Sequence, residues 1–267
     1  MAQDVIASIV PSRISARDVA PGWFSSVSLP IMDWNGQFMS TSTRLLNTKA
    51  ISGWLPYVLP MALFMLLTSA EVAVPAPLYP LAYGAKIALV GVVLISLRKF
   101  FPEAAPNLTG LVIGVPLGIA LMGAWVGIDH FTPHLSILGH RSALDPFARF
   151  RGTGFLCPFL AVRFAGLVLV VPAVEELFWR SFMLRWIICP DAFRDVALGA
   201  FEPLSFGAVV VLMALSHPEW LAAAVFSAVM NLLLYRTRNL FACIATHAVT
   251  NLALGIFVLV THAWRFW

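Results

Sequence analysis

The stretch Val171-Pro172-Ala173-Val174-Glu175-Glu176-Leu177-Phe178-Trp179-Arg180 decides how the rest of the chain is read. It sets two carboxylates and a guanidinium inside one of the most apolar parts of an apolar protein. At the centre of a bilayer helix a charged residue costs roughly 2.5–3.5 kcal/mol even on insertion scales. Such residues therefore face a bundle interior or a water-filled cavity and are functional candidates. On a helix Glu176 and Arg180 stand at i and i+4, acid before base, which is the favourable order for a pair. Glu175 lies about 100° away round the same helix and shares that arginine poorly. One carboxylate is neutralised locally and the other is left for chemistry.

The composition around this stretch is that of an integral membrane protein. Of 267 residues, 60% are hydrophobic and 11% charged, against about 25% charged in soluble domains, and the mean hydropathy is +0.87. The net charge of +4 comes from Lys and Arg placed mostly at the ends of apolar runs. That placement reads as membrane orientation, and no nucleic-acid partner is expected. Cys157, Cys189 and Cys243 are odd in number and widely spaced, so they read as packing residues rather than a disulfide or zinc framework.

Working outward, the apolar runs predict an all-α, polytopic transmembrane bundle of about seven spans, with six to eight allowed. Residues 1–45 hold no spanning run and no signal-peptide pattern, and are expected to form a cytoplasmic or interfacial tail. Residues 46–152 carry spans near Trp54–Val74, Leu81–Leu97 and Leu108–Gly127. Pro56 and Pro60 are expected near the start of the first, where a missing amide donor is tolerated. The third is rich in glycine, suited to close packing. A polar loop from Asp129 to Gly152 follows. Residues 153–267 are expected to hold the functional helices. The first, Phe155 to Ile188, is about 50 Å long if continuous, so either a long helix bent at Pro172 or a span followed by an interfacial helix is expected. Spans near Leu204–Ser216, Trp220–Tyr235 and Leu240–Val260 complete the chain. The bias of basic residues puts Arg98-Lys99, the Arg185–Arg194 region and Arg236-Arg238 on the cytoplasmic side.

Depth arithmetic brings four polar groups together. Glu175 lies about 18 Å back along its helix from Ile187, Asn251 about 18 Å and His247 about 12 Å into the last span. His217 lies about 20 Å from the start of the fifth span. His247 and Asn251 share a helix face at i and i+4. There is no HExxH, GxSxG or Gly-x-Gly-Asp motif, so zinc, serine and aspartyl chemistries lack their signatures. A buried glutamate with a histidine can deprotonate water, and a second histidine with an asparagine can donate hydrogen bonds to an oxyanion. No cofactor and no metal are needed for that reaction. The bland alternatives are an inert Glu176–Arg180 brace, a His247 bound to a backbone carbonyl, and Asn251 as interhelical glue. Arg163 falls about 120° round from Glu175 and is kept out of the site. Asp129, His130, His134 and His140 read as a solvated loop, since Pro133 breaks any helical ligand spacing.

Glu175-Glu176-x-x-x-Arg180, then His217, then His247-x-x-x-Asn251, on successive apolar segments, resembles the CAAX protease and bacteriocin-processing family of glutamate-dependent intramembrane proteases. That family includes the CAAX prenyl endoprotease of the endoplasmic reticulum. The resemblance covers roughly residues 150–260, with a family-like Tyr235-Arg236-Thr237-Arg238-Asn239-Leu240. Met213 stands four residues before His217, where the family usually has Phe. The resemblance implies that Glu175 and His217 activate water, that His247 and Asn251 form the oxyanion hole, and that Glu176 and Arg180 support the helix or assist substrate binding. The expected partners are membrane lipid and a membrane-associated or lipidated peptide or protein, and the expected location is a bacterial cytoplasmic membrane. Two readings from other classes stay open beside the protease. They are a non-catalytic scaffold or immunity protein of the same fold, and a transporter or proton relay using the buried acid.

Overall fold

A computed structural model describes residues 48–133, 135–138 and 144–267; the tail, His134 and His140 lie outside them. The described chain is helical, with no strand among the described residues. The principal helices are α1 (Thr48–Glu71), α2 (Tyr79–Leu97), α3 (Leu108–Phe131), α4 (Leu156–Ile188), α5 (Pro203–Leu215), α6 (Trp220–Thr237) and α7 (Leu240–Thr261). Six are long and apolar enough to cross a bilayer. The exception is α5, whose 13 residues extend only about 20 Å. The protein is an integral, multi-pass membrane protein. Helix limits fall within a few residues of those expected, except that α1 begins earlier. Pro56 and Pro60 are therefore interior to it rather than at its start.

Three of the helices start where a side chain takes up orphan amides. Asn107 accepts from Gly110 N, Glu202 from Leu204 N and Ser205 N, and Asn239 from Ala242 N, as capping residues do. Helix α6 ends on Arg238 in the left-handed region (φ 50°), so the chain reverses at once into α7 through Asn239. Asn107 and Asn239 also bond each other side chain to side chain, at 2.7 and 3.1 Å. That pins the starts of α3 and α7 together, and the two helices run side by side from there.

The α3–α7 contact is the largest between any two helices, and its cause is in the sequence. Gly110, Gly114 and Gly118 make a small-residue stripe of the kind that lets membrane helices approach. A Cβ on Gly114 would meet Ala245 Cβ at 2.8 Å and Thr246 N at 2.9 Å. One on Gly118 would meet Thr246 O at 2.7 Å. Thr250 Oγ1 donates across this seam to Gly118 O at 3.1 Å. The stripe thus fixes the height of α7, the helix that carries His247 and Asn251.

Polar contacts gather at two ends of the bundle. At one end, Tyr57 and Ser181 both donate to Glu103 Oε1, at 2.8 and 2.6 Å, and Arg185 Nη2 lies 3.4 Å from it. This ties α1, the α2–α3 connection and the end of α4. At the other end, Arg265 pairs with buried Asp129 at 3.2 Å, and Trp220 Nε1 donates to Pro133 O. Lys86 meets Glu71 there at 2.7 Å, closing the α1–α2 hairpin.

Candidate active site

Helix α4 presents the glutamates on an irregular backbone. Gly166–Val170 and Leu177–Met183 are wound as π-helix on either side of α-helical Val171–Glu176. Single π turns of this kind are frequent at functional sites. Pro172 accounts for the first of them. A proline lacks an N–H and its ring crowds the carbonyl four residues back, and a wider turn relieves that crowding. Val171 N–H bonds Gly166 O, its i−5 partner. In the same register the next acceptor is Leu167 O, and its donor would be residue 172. Pro172 has no hydrogen to give. Asn251 Nδ2, from α7, donates to Leu167 O instead, at 2.9 Å. The helix is therefore continuous, and the expected bend is taken up as a π turn braced from the neighbouring helix.

Behind that brace sits a charged triad. Glu176 and Arg180 are fully buried. Arg180 Nη1 donates to Glu176 Oε1 at 3.4 Å, and its Nε lies 3.2 Å from Oε2 as an ion contact without hydrogen-bond alignment. His247 Nδ1 donates to the same Oε1 at 2.8 Å. A carboxylate only accepts, so Nδ1 carries a proton and Nε2 is the ring nitrogen left for other partners. Glu176 thus has two cationic or donor partners, one from its own helix and one from α7. Glu175, next to it, is also buried, and its Oε2 has no hydrogen-bond partner.

His217 closes α5. Its Nδ1 lies 3.0 Å from Met213 O and 2.9 Å from Ser216 Oγ. The carbonyl can only accept, so this ring too turns its Nε2 away from its own helix. It packs edge-on to Trp125 at 5.9 Å. Trp125 packs on Phe226 at 6.0 Å, and Phe226 on His247 at 5.0 Å. The two histidines stand at opposite ends of a row of aromatic rings. Met213, the departure from the family pattern, is buried in the same apolar cluster as Trp125 and Phe226.

The arrangement brings Glu176, Arg180 and His247 into direct contact and sets Asn251 one turn beyond His247. Glu175 adjoins the triad without joining it. The sequence reading missed the bond between His247 and Glu176, since residues 71 positions apart give no local signal. It also missed Glu103, Tyr57, Ser181 and Arg185, which anchor the second π segment. Arg163, kept outside the site, lies over the Tyr83 ring at 4.7 Å and the Trp267 ring at 5.1 Å. That aromatic cage is a cation–π setting distinct from the glutamates. Among the described residues no three His, Cys, Asp or Glu side chains are grouped to hold a metal ion. Asp129 and His130 instead line an open concavity of about 410 Å³ with Thr132 and Arg265.

No curated protein and no solved structure matches the chain significantly. A family model does, that of the Type II CAAX prenyl endopeptidase Rce1-like proteins, over residues 157–253. The matched segment runs from the start of α4 into α7. It contains both glutamates, Arg180, both histidines and Asn251. Over that segment the chain is similar to the CAAX protease family.

Proposed function

We propose that the protein is a metal-independent, glutamic-type intramembrane endopeptidase acting on a membrane-associated or lipidated peptide or protein. One observation carries the reading. Of two adjacent buried carboxylates, Glu176 is held by Arg180 and His247, whereas Glu175 keeps a buried oxygen without a partner. A carboxylate spared from pairing in an apolar bundle is placed for general-base work. The family match supports an endopeptidase of the CAAX type in general.

In this mechanism a water takes position between Glu175 and His217, whose Nε2 accepts from it. The water oxygen attacks the scissile carbonyl carbon as its proton passes to Glu175. The carbonyl electrons move onto oxygen, and the oxyanion is met by His247 Nε2–H and by the second amide hydrogen of Asn251. The first hydrogen of that amide is committed to Leu167 O. In this step both ring nitrogens of His247 carry hydrogen, Nδ1 toward Glu176 and Nε2 toward the oxyanion. When the tetrahedral species collapses, the C–N bond breaks and Glu175 returns the proton to the leaving amine. Glu176 and Arg180 hold His247 in place. The end of the bundle that carries Arg185 and Arg194 faces the cytoplasm, and the bilayer is a bacterial inner membrane. The test is cleavage of a panel of lipidated and unlipidated fluorogenic peptides by the protein in liposomes, with and without a strong chelator. Turnover unaffected by the chelator is the expected result, and turnover abolished by it would refute the metal-free scheme.

A further inference from the structure

Helix α6 carries polar atoms that neither the fold nor the proposed chemistry uses. Ser227 and Asn231 are fully buried, and Ser227 Oγ, Asn231 Nδ2 and Asn231 Oδ1 have no hydrogen-bond partner. Neither has Arg180 Nη2. In a protein interior nearly all such groups are satisfied, by protein or by ordered water.

Helical geometry places Ser227 and Asn231 on one face of α6. With Phe226 set at 0°, Ser227 falls at about 100° round α6, Asn231 at about 140° and Tyr235 at about 180°. Arg180 reaches one edge of that arc, where its guanidinium lies 6.0 Å over the Phe226 ring. The arc is the buried side of α6, with Leu234 at about 80° fully buried and Leu232 at about 240° half-exposed, so the fully buried guanidinium lies on the side of Ser227 and Asn231. The groups also balance. Arg180 Nη2 and Asn231 Nδ2 donate, Asn231 Oδ1 accepts, and Ser227 Oγ does either. A buried water needs two to four such partners.

We propose that Arg180, Ser227 and Asn231 enclose ordered water, a hydrated site behind the glutamates that is separate from the attacking water. Ser227 and Asn231 are then positioning residues. Through this water they hold the Arg180 guanidinium square to Glu176, and Glu176 in turn holds His247. Only the kinetic arm of the test below rests on the protease reading.

The experiment compares Asn231→Leu, which matches the side-chain volume without its polar atoms, with Asn231→Ser, which keeps a hydroxyl and leaves room for water. Thermal unfolding in detergent should fall by about 2–4 °C for the leucine variant and stay near wild type for the serine. Ser227→Ala should fall in the same direction. A leucine variant as stable as the parent, or more so, overturns the proposal, because a dry orphan amide is relieved by its removal. Radiolytic hydroxyl footprinting of the intact protein gives a second readout, since it marks side chains beside bound water. Labelling at buried Met230 or Phe226 is expected in the parent and lost in Asn231→Leu; its absence from the parent overturns the proposal. In the peptide assay Asn231→Leu should lower kcat with KM unchanged, and Asn231→Ser should restore it. A change in KM alone counts against positioning. If no peptide is cleaved by the parent, the protease reading fails while the stability and footprinting results still decide the water site.

Discussion

Removing Asn251 should matter only as long as residue 172 is a proline. In the parent, Leu167 O lies in a π turn whose own donor position is Pro172, and Asn251 Nδ2 satisfies it at 2.9 Å. Asn251→Ala leaves that carbonyl unpaired in an apolar bundle. An orphaned buried acceptor costs about 1–3 kcal/mol, whereas interhelical hydrogen bonds in membranes measure about 0.6 and at most about 1.7 kcal/mol. The two ranges meet near 1 kcal/mol, which is the expected destabilisation. Pro172→Ala restores an N–H at that position. The new amide bonds Leu167 O if the π register persists, and Val171 N–H does so if the helix relaxes to α. In that background Asn251→Ala should cost close to nothing, giving a coupling energy of about 1 kcal/mol. The assay is equilibrium unfolding of the four proteins in mixed micelles, followed by tryptophan fluorescence. Costs that add to within about 0.3–0.5 kcal/mol, as independent sites do, would refute the reasoning. Turnover of the same four proteins separates the two roles of Asn251. Stability should recover in the double variant, and peptide cleavage should not, because the second amide hydrogen is still missing.

Other consequences follow from the packing and the triad. Gly114→Val should destabilise the bundle by about 1–3 kcal/mol through overpacking against Ala245 and Thr246, while Gly123→Ala, with nothing within 4 Å of a new Cβ, should be neutral in the same unfolding assay. Arg180→Met strands a fully buried Glu176 and should cost about 3–5 kcal/mol; adding Glu176→Gln should recover much of that loss, and an additive double variant would contradict the pairing. Tyr57→Phe removes the 2.8 Å bond to Glu103 and should cost about 0.5–1.5 kcal/mol in stability.

The bundle was legible because each of the six long helices is an apolar run of the length a bilayer demands. The brace between Glu176 and Arg180 was legible because it is local, at i and i+4. What the sequence did not reveal is set by contacts between distant segments. Pro172 announces an irregularity, but whether a helix bends or widens depends on what receives the freed carbonyl, and that donor is 84 positions away in Asn251. The pairing of His247 with Glu176 depends on the height of α7, which the α3 glycine stripe sets. Pro56 and Pro60 were placed at a helix start because their amides are missing, yet α1 begins two turns earlier. Ser227 and Asn231 were overlooked, although two polar residues at i and i+4 inside an apolar span are a signal by the same reasoning that singled out the glutamates.

The central claim is that two neighbouring carboxylates have different work. It is tested most directly by the cleavage rate of Glu175→Gln beside Glu176→Gln, each reconstituted in liposomes and shown to unfold cooperatively. Glu175→Gln should keep its stability and lose all measurable cleavage, because an amide cannot take the water's proton. Glu176→Gln should be less stable and retain a residual rate, because it weakens the support of His247 without removing the base. Cleavage by Glu175→Gln at the parent rate would contradict the account.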